Sequence, residues 1–428
     1  MGQLISTCTT MNLKSEELQL DQKAVLLVPG MCSNGLQCIP GGLLEHGHSG
    51  PTVAYINITK TVAEGPHIFH ELSLVLDQGT LQNGTKVTTV KNKYEGEVRA
   101  VEGLEGIATL NPGMRPHIFL WNPMIQALRH DYHLRALHYD WSRWGEPVQM
   151  ERCLIRFKKD VEELYAATGI PIGLVAHSMG AQVTLYCLGM MGAAWARLHI
   201  SEIVFCAPAV AGTPCMFSCF SNGPLGSTGM FNFPLELVDD YLAEMTSSFV
   251  CMPAEMPMNV GGVEVWDRDR VFASTPSKKY KASNVQEFLN DCARYGDEKD
   301  TWQIGKTFWP TIQKMATVLR APPVETHIIY SPGCDCVAAT EYETDNLLGP
   351  SKTTKTEPGD NTITAASVEA MVAGWKKMGC QHVTMHKIPK KDGVNHQGCI
   401  DCAMSLDLVP KLLNPYEETD DDDDAVVP

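Results

Sequence analysis

Residues 173–188 read G-L-V-A-H-S-M-G-A-Q-V-T-L-Y-C-L. The first four complete an apolar run that suits a buried strand, and residues 181–188 continue as a helix with little polar face. Ser178 therefore stands on the sharp turn between strand and helix, inside the pattern A-x-S-x-G. Such a turn strains the backbone of its serine and holds the hydroxyl above the sheet. It also needs small neighbours, and Ala176 and Gly180 supply them.

A five-residue pattern recurs by chance, so its weight comes from its surroundings. Residues 383–388 read as the last strand of the chain and lead into Gly393, Val394, Asn395 and His396. Of the 14 histidines only His396 follows both an acid and a terminal strand in this way. The acid is Asp360, set among turn residues in E-P-G-D-N-T at 357–362 and so presented beyond a strand end. Alone it would read as a turn-capping aspartate. Behind Ser178 and ahead of His396 it completes the order Ser, Asp, His that the α/β-hydrolase fold uses. The expected fold class is thus α/β, a mostly parallel sheet flanked by helices, with lid and cap insertions.

The chain has 428 residues and a formal net charge of -16. That charge, with no basic stripe, argues against a nucleic-acid partner and against electrostatic adhesion to anionic lipid. No apolar run approaches the roughly 18 residues of a spanning helix, and Lys14, Glu16 and Glu17 interrupt the place of a signal peptide. The expected location is cytoplasmic. An attachment to membranes is nevertheless written at the start, where M-G-Q-L-I-S fits N-myristoylation of Gly2 and Cys8 is placed for a second acyl chain. The 15 cysteines are odd in number, which excludes a complete disulfide framework and favours buried thiols. Cys334-x-Cys336 and Cys399-x-x-Cys402 could ligate zinc, form a redox pair or simply pack; the site expected here holds no metal and uses no cofactor.

In chain order, residues 1–20 read as a disordered start and residues 21–212 and 324–414 as the hydrolase core. Ala24 to Val28 is a buried strand closed by Pro29-Gly30. The loop behind it supplies one backbone N–H of an oxyanion hole and the residue after the nucleophile the other, which nominates Met31 and Met179. Residues 50–115 read as a lid region, with a hairpin turn at Asn83-Gly84. A strand over 134–137 and a helix ending at Gly169 precede the serine strand as one β-α-β unit. Residues 203–206 make the next strand, 213–323 a methionine-rich cap in which Ser283 and Gln286 box a helix start, and 326–330 another strand. A polar loop follows it, and residues 415–428 are an acidic disordered tail.

The ordered set V-P-G at 28–30, Y-D-W at 139–141, A-H-S-M-G at 176–180, A-P at 207–208, S-T-P at 274–276, G-D-x-T at 359–362 and V-N-H ending at His396 resembles the lecithin:cholesterol acyltransferase family. The resemblance spans about residues 24–412. It implies Ser178, Asp360 and His396 as catalytic triad, Met31 and Met179 as oxyanion donors, and a cap over an acyl track. The chain departs from the family pattern at Ala176, at Ser142 where an arginine is usual, and at Ala209 to Ala211 where a Gly-Gly is usual.

These residues imply a serine acyl-enzyme, and the resemblance implies a phospholipid as its acyl donor. Its transfer to an alcohol makes the chain a lipid O-acyltransferase, and its transfer to water makes it a phospholipase A. The residues leave the acceptor open; the resemblance favours transfer to an alcohol with hydrolysis as a side reaction, and an inactive hydrolase fold serving as a lipid-binding or scaffold protein is the reading from another class.

Overall fold

The computed structural model describes residues 22–40, 52–53, 74–92, 96–109, 120–222, 245–253, 259–260, 263–295, 300–316 and 320–413. The start with Gly2 and Cys8, the acidic tail, and much of the lid and cap regions lie outside these residues.

Six strands form the central sheet: β1 (Ala24–Val28), β2 (His133–Ala136), β3 (Ile172–His177), β4 (Ile200–Cys206), β5 (Glu325–Tyr330) and β6 (Val383–Lys387). Their order is β2-β1-β3-β4-β5-β6, and every neighbouring pair is parallel. Each residue of β1 and β3 is buried, as expected for strands that read as unbroken apolar runs and are covered on both faces. The β2 to β3 connection differs from a simple neighbouring unit, because β1 lies between the two strands and pairs with both. The strand order therefore reverses between β1 and β3. A crevice opens beyond the carboxyl ends of strands at such a reversal, and it is there that open α/β sheets bind their ligands.

Helix α1 (Pro147–Thr168) starts on a proline that donates no N–H and ends at Gly169, whose φ of 68° is left-handed. Its buried Met150, Cys153, Phe157, Val161 and Leu164 make the apolar stripe, and it packs on β1 and β3. Helix α2 (Gly180–Met191) is buried nearly all round, with even Gln182 and Thr184 inside. That is the character of a helix held in the core, and it places Ser178 between two buried elements.

The stretch read as a polar loop after β5 is instead a long hairpin, Cys334–Tyr342 with Ser351–Gly359. Most of the second strand's side chains are exposed, so no apolar pattern marks it. In the first strand Cys336, Ala338, Thr340 and Tyr342 are buried at period two, a signal that small and polar residue types concealed. Val271–Ser274 adds to this hairpin in parallel, through Ala273 opposite Thr340 and Ser274 opposite Glu341. The segment 271–281 is thereby stitched to the first strand of the hairpin, whose second strand leads into Asp360.

Two smaller expectations meet different outcomes. The Asn83-Gly84 turn closes the hairpin Leu74–Thr80 with Lys86–Asn92, with Gly84 at φ 84°. The helix start in the 283–286 region is not the Ser283/Gln286 box. Helix α3 (Val285–Tyr295) follows a 3-10 turn, Ala282–Asn284. Asn284 Oδ1 accepts the Lys281 N–H, its Nδ2 donates to Glu287, and Gln286 donates along the helix to Asn290. Asparagine serves because its side chain both accepts and donates across that turn.

Candidate active site

Ser178 follows β3 at φ 56°, a left-handed conformation that a residue with a side chain adopts only when its surroundings impose it. They do so from several sides. Its N–H donates to the Cys206 carbonyl (3.1 Å), and its carbonyl accepts from Ala181 and Ala209 (both 3.1 Å). The expectation of small flanking residues has a geometric basis at Gly180, where a Cβ would lie 2.3 Å from the Val28 carbonyl oxygen. Gly30 is as tightly placed: a Cβ there would be 2.7 Å from Ser178 Cβ and 3.3 Å from its Oγ. The end of β1 thus meets the Ser178 turn edge to edge. We expect Gly30→Ala to lower kcat/KM about 10²-fold by displacing that hydroxyl, read from initial rates on a soluble ester.

His396 comes from the loop after β6. Its Nε2 is 2.8 Å from Ser178 Oγ and its Nδ1 is 2.8 Å from Asp360 Oδ2. A carboxylate only accepts, so Nδ1 carries the proton and Nε2 presents its lone pair to the serine hydroxyl. Asp360 is fixed in turn: Oδ1 accepts the N–H groups of Thr362 (2.9 Å) and Ile363 (2.6 Å). Asn361, between Asp360 and Thr362, has φ 78°, and Gly359 could carry no Cβ, since one would fall 2.2 Å from the Ile363 carbonyl oxygen. Thr213 donates from its hydroxyl to the Thr362 carbonyl, tying residue 213 to the turn that carries Asp360. Ser178 is 7% exposed and Asp360 and His396 each 2%, so the three groups interact away from bulk water.

Met31 and Met179 are both buried beside this centre, Met31 directly behind Gly30 and Met179 directly before α2. The loop carrying Met31 is locked by the Y-D-W segment: Tyr139 donates to the Pro29 carbonyl (2.7 Å) and Trp141 Nε1 to the Asn34 carbonyl (2.8 Å). The intervening Asp140 is buried, which pushes its carboxyl above the usual range although Arg143 pulls the other way. Ser142, standing at a departure from the family pattern, donates to Asp140 Oδ1 from both its N–H (3.1 Å) and its hydroxyl (2.5 Å).

Of the cysteines singled out, Cys336 and Cys399 are buried and Cys334 and Cys402 partly so. Cys336 donates to the Ile363 carbonyl and Cys334 to the Gly393 carbonyl, each at 3.3 Å. Among the described residues no three or more His, Cys, Asp or Glu side chains are grouped as metal ligands would be. One neighbour of the site went unread in the sequence: His177, wholly buried, whose Nε2 lies 3.0 Å from the His396 carbonyl oxygen. Its only signal is adjacency to Ser178.

A parallel sheet with a reversal between β1 and β3, a serine on a strained turn at that reversal, and an acid and a histidine arriving from later strand ends define an α/β-hydrolase. A family model described as Lecithin:cholesterol acyltransferase matches residues 68–409, most of the chain. The chain belongs to the lecithin:cholesterol acyltransferase family. Phosphatidylcholine-sterol acyltransferase of Homo sapiens is 25% identical over 297 residues, 69% of this chain and 62% of that protein. Lysosomal phospholipase A and acyltransferase of Rattus norvegicus is 24% identical over 280 residues, 65% of this chain and 62% of that one. The aligned part thus spans about three fifths of the length of these relatives. Among solved structures, a chain of the Tle4–Tli4 complex shares the fold, with TM-score 0.53 at 13% identity over 92% of this chain and 98% of that one.

Proposed function

We propose that the chain is a lipid O-acyltransferase that takes a fatty acyl group from a phospholipid onto Ser178 and passes it to an alcohol. The observation that carries this reading is the unbroken buried chain Ser178 Oγ, His396, Asp360, with 2.8 Å at each link. His396 Nε2 takes the hydroxyl proton as Oγ attacks the ester carbonyl, Asp360 holds the tautomer and steadies the imidazolium, and the N–H groups of Met31 and Met179 receive the oxyanion. His396 then returns the proton to the leaving lysophospholipid, and the acceptor hydroxyl repeats the sequence in reverse.

The names of the two relatives include sterol acyltransfer and phospholipase A activity, which supports a phospholipid donor and leaves both acceptors in play. The family's description as an acyltransferase supports an alcohol acceptor over water. Residues 213–323 act as the cap and 50–115 as the lid in this reading. Among the described residues no helix is long and apolar enough to cross a membrane. Acyl chains on Gly2 and Cys8 would then bring an acidic cytoplasmic protein to lipid as a peripheral enzyme, since one chain alone binds marginally.

The test follows the fate of the acyl group. With phospholipid vesicles and rising concentrations of a long-chain alcohol, ester should appear at the expense of free fatty acid while total acyl release changes less than about twofold, because both products share one intermediate. Fatty acid alone at saturating alcohol would assign the chain as a phospholipase A. A Ser178 that takes no fluorophosphonate would make it a silent scaffold.

A further inference from the structure

The residue that precedes the nucleophile holds the residue that serves as base. His177 closes β3, is 2% exposed, and reaches across 219 positions of sequence to the main-chain oxygen of His396, 3.0 Å away. A carbonyl oxygen can only accept, so His177 Nε2 carries the hydrogen and Nδ1 is a bare lone pair. That Nδ1 is buried without a hydrogen-bond partner among the described residues. A buried polar atom left unsatisfied weakens a fold, and such atoms persist where the rest of the side chain has a task.

The two imidazoles lie 4.8 Å apart between centroids and tilted by 40°, while Trp121 meets His177 edge-on at 6.4 Å and 84°. The ring is thereby confined between an indole and the base itself. Burial, and after it the charge of His396, holds the His177 pKa down at about 3, so it stays neutral while His396 gains and loses a proton. A permanently positive residue here would oppose formation of the His396 imidazolium.

On the reading of Ser178, Asp360 and His396 as the catalytic triad, we infer that His177 is a positioning residue, its Nε2–H fixing the backbone of His396 so that the imidazole meets Ser178 Oγ. The His396 side chain is already held at both nitrogens, but its backbone stands on a loop beyond the end of an edge strand. Local bonds secure the far side of that loop, where Asn395 caps the turn through the N–H groups of Gly398 (2.8 Å) and Cys399 (3.1 Å). The bond from His177 ties it to β3, the strand that delivers the nucleophile. Serine and base then share one anchor, and relative drift between them is suppressed.

The experiment compares His177→Gln with His177→Met in the full chain. The two side chains are of similar length and volume, but only glutamine offers an N–H near the place of Nε2. The rate of Ser178 phosphonylation by a fluorophosphonate is read together with kcat and KM on a soluble ester, and thermal midpoints verify folding. His177→Met should lower both the phosphonylation rate and kcat about 10²-fold with KM within about threefold, and His177→Gln should recover at least about tenfold of that loss. Equal rates for the two variants, or a loss confined to KM, would overturn the positioning role while leaving the triad standing. A wild-type Ser178 that takes no phosphonate would overturn the triad, and the positioning role with it.

Discussion

Ser178→Ala is expected to abolish acyl-enzyme formation and to lower turnover at least about 10³-fold while leaving the fold in place. The serine hydroxyl contributes one hydrogen bond, to His396, whereas the turn that carries it is held by the main-chain bonds of Ser178 to Cys206, Ala181 and Ala209. Alanine at φ 56° meets the same strain as serine, so the elbow has no new reason to relax. Mass analysis after fluorophosphonate treatment checks the chemistry and a thermal midpoint checks the fold. An adduct retained by the alanine variant would move the nucleophile elsewhere.

Asp360→Asn should cost about 10³ to 10⁴-fold in kcat with little change in stability. An amide in this position can still accept the Thr362 and Ile363 N–H groups through its oxygen, so the turn survives. Its NH₂ then faces His396 Nδ1 and donates to it, which moves the imidazole proton to Nε2 and leaves Ser178 without a base. Other acids in the region have commitments of their own: Asp345 accepts from Ser277, and Glu357 is paired with Arg270 and Lys355. Initial rates on a soluble ester, with a pH profile, measure the loss. Unchanged activity would transfer the acid's role away from Asp360.

The elbow was legible because its requirements are local. A strand, a turn that tolerates only small flanking residues and a buried helix are each written in consecutive residues, and 173–188 contains all three. His396 and Asp360 were legible for a related reason. A residue just past a strand end lies at one edge of a parallel sheet, so strand ends in chain order predict which side chains share that edge. The hairpin after β5 escaped because its ladder is made of backbone bonds, while its side chains are small, polar or exposed and lack an apolar rhythm. The Asn284 turn escaped because residues 281–287 offer several polar side chains of similar capping ability, and only the backbone path selects among them.

From its own residues, then, this chain specifies an α/β-hydrolase core and the positions of a candidate nucleophile, acid and base, since apolar runs and turn chemistry act over a few residues. The order β2-β1-β3, the approach of Gly30 to Ser178 and the bond from His177 to His396 belong to the folded molecule alone. Each joins positions that are distant along the chain, and no local pattern distinguishes one distant partner from another. Such contacts form only when the whole core packs at once, because the loop-closure entropy of a separation as long as 219 residues is repaid by burial of the sheet and not by the contact itself.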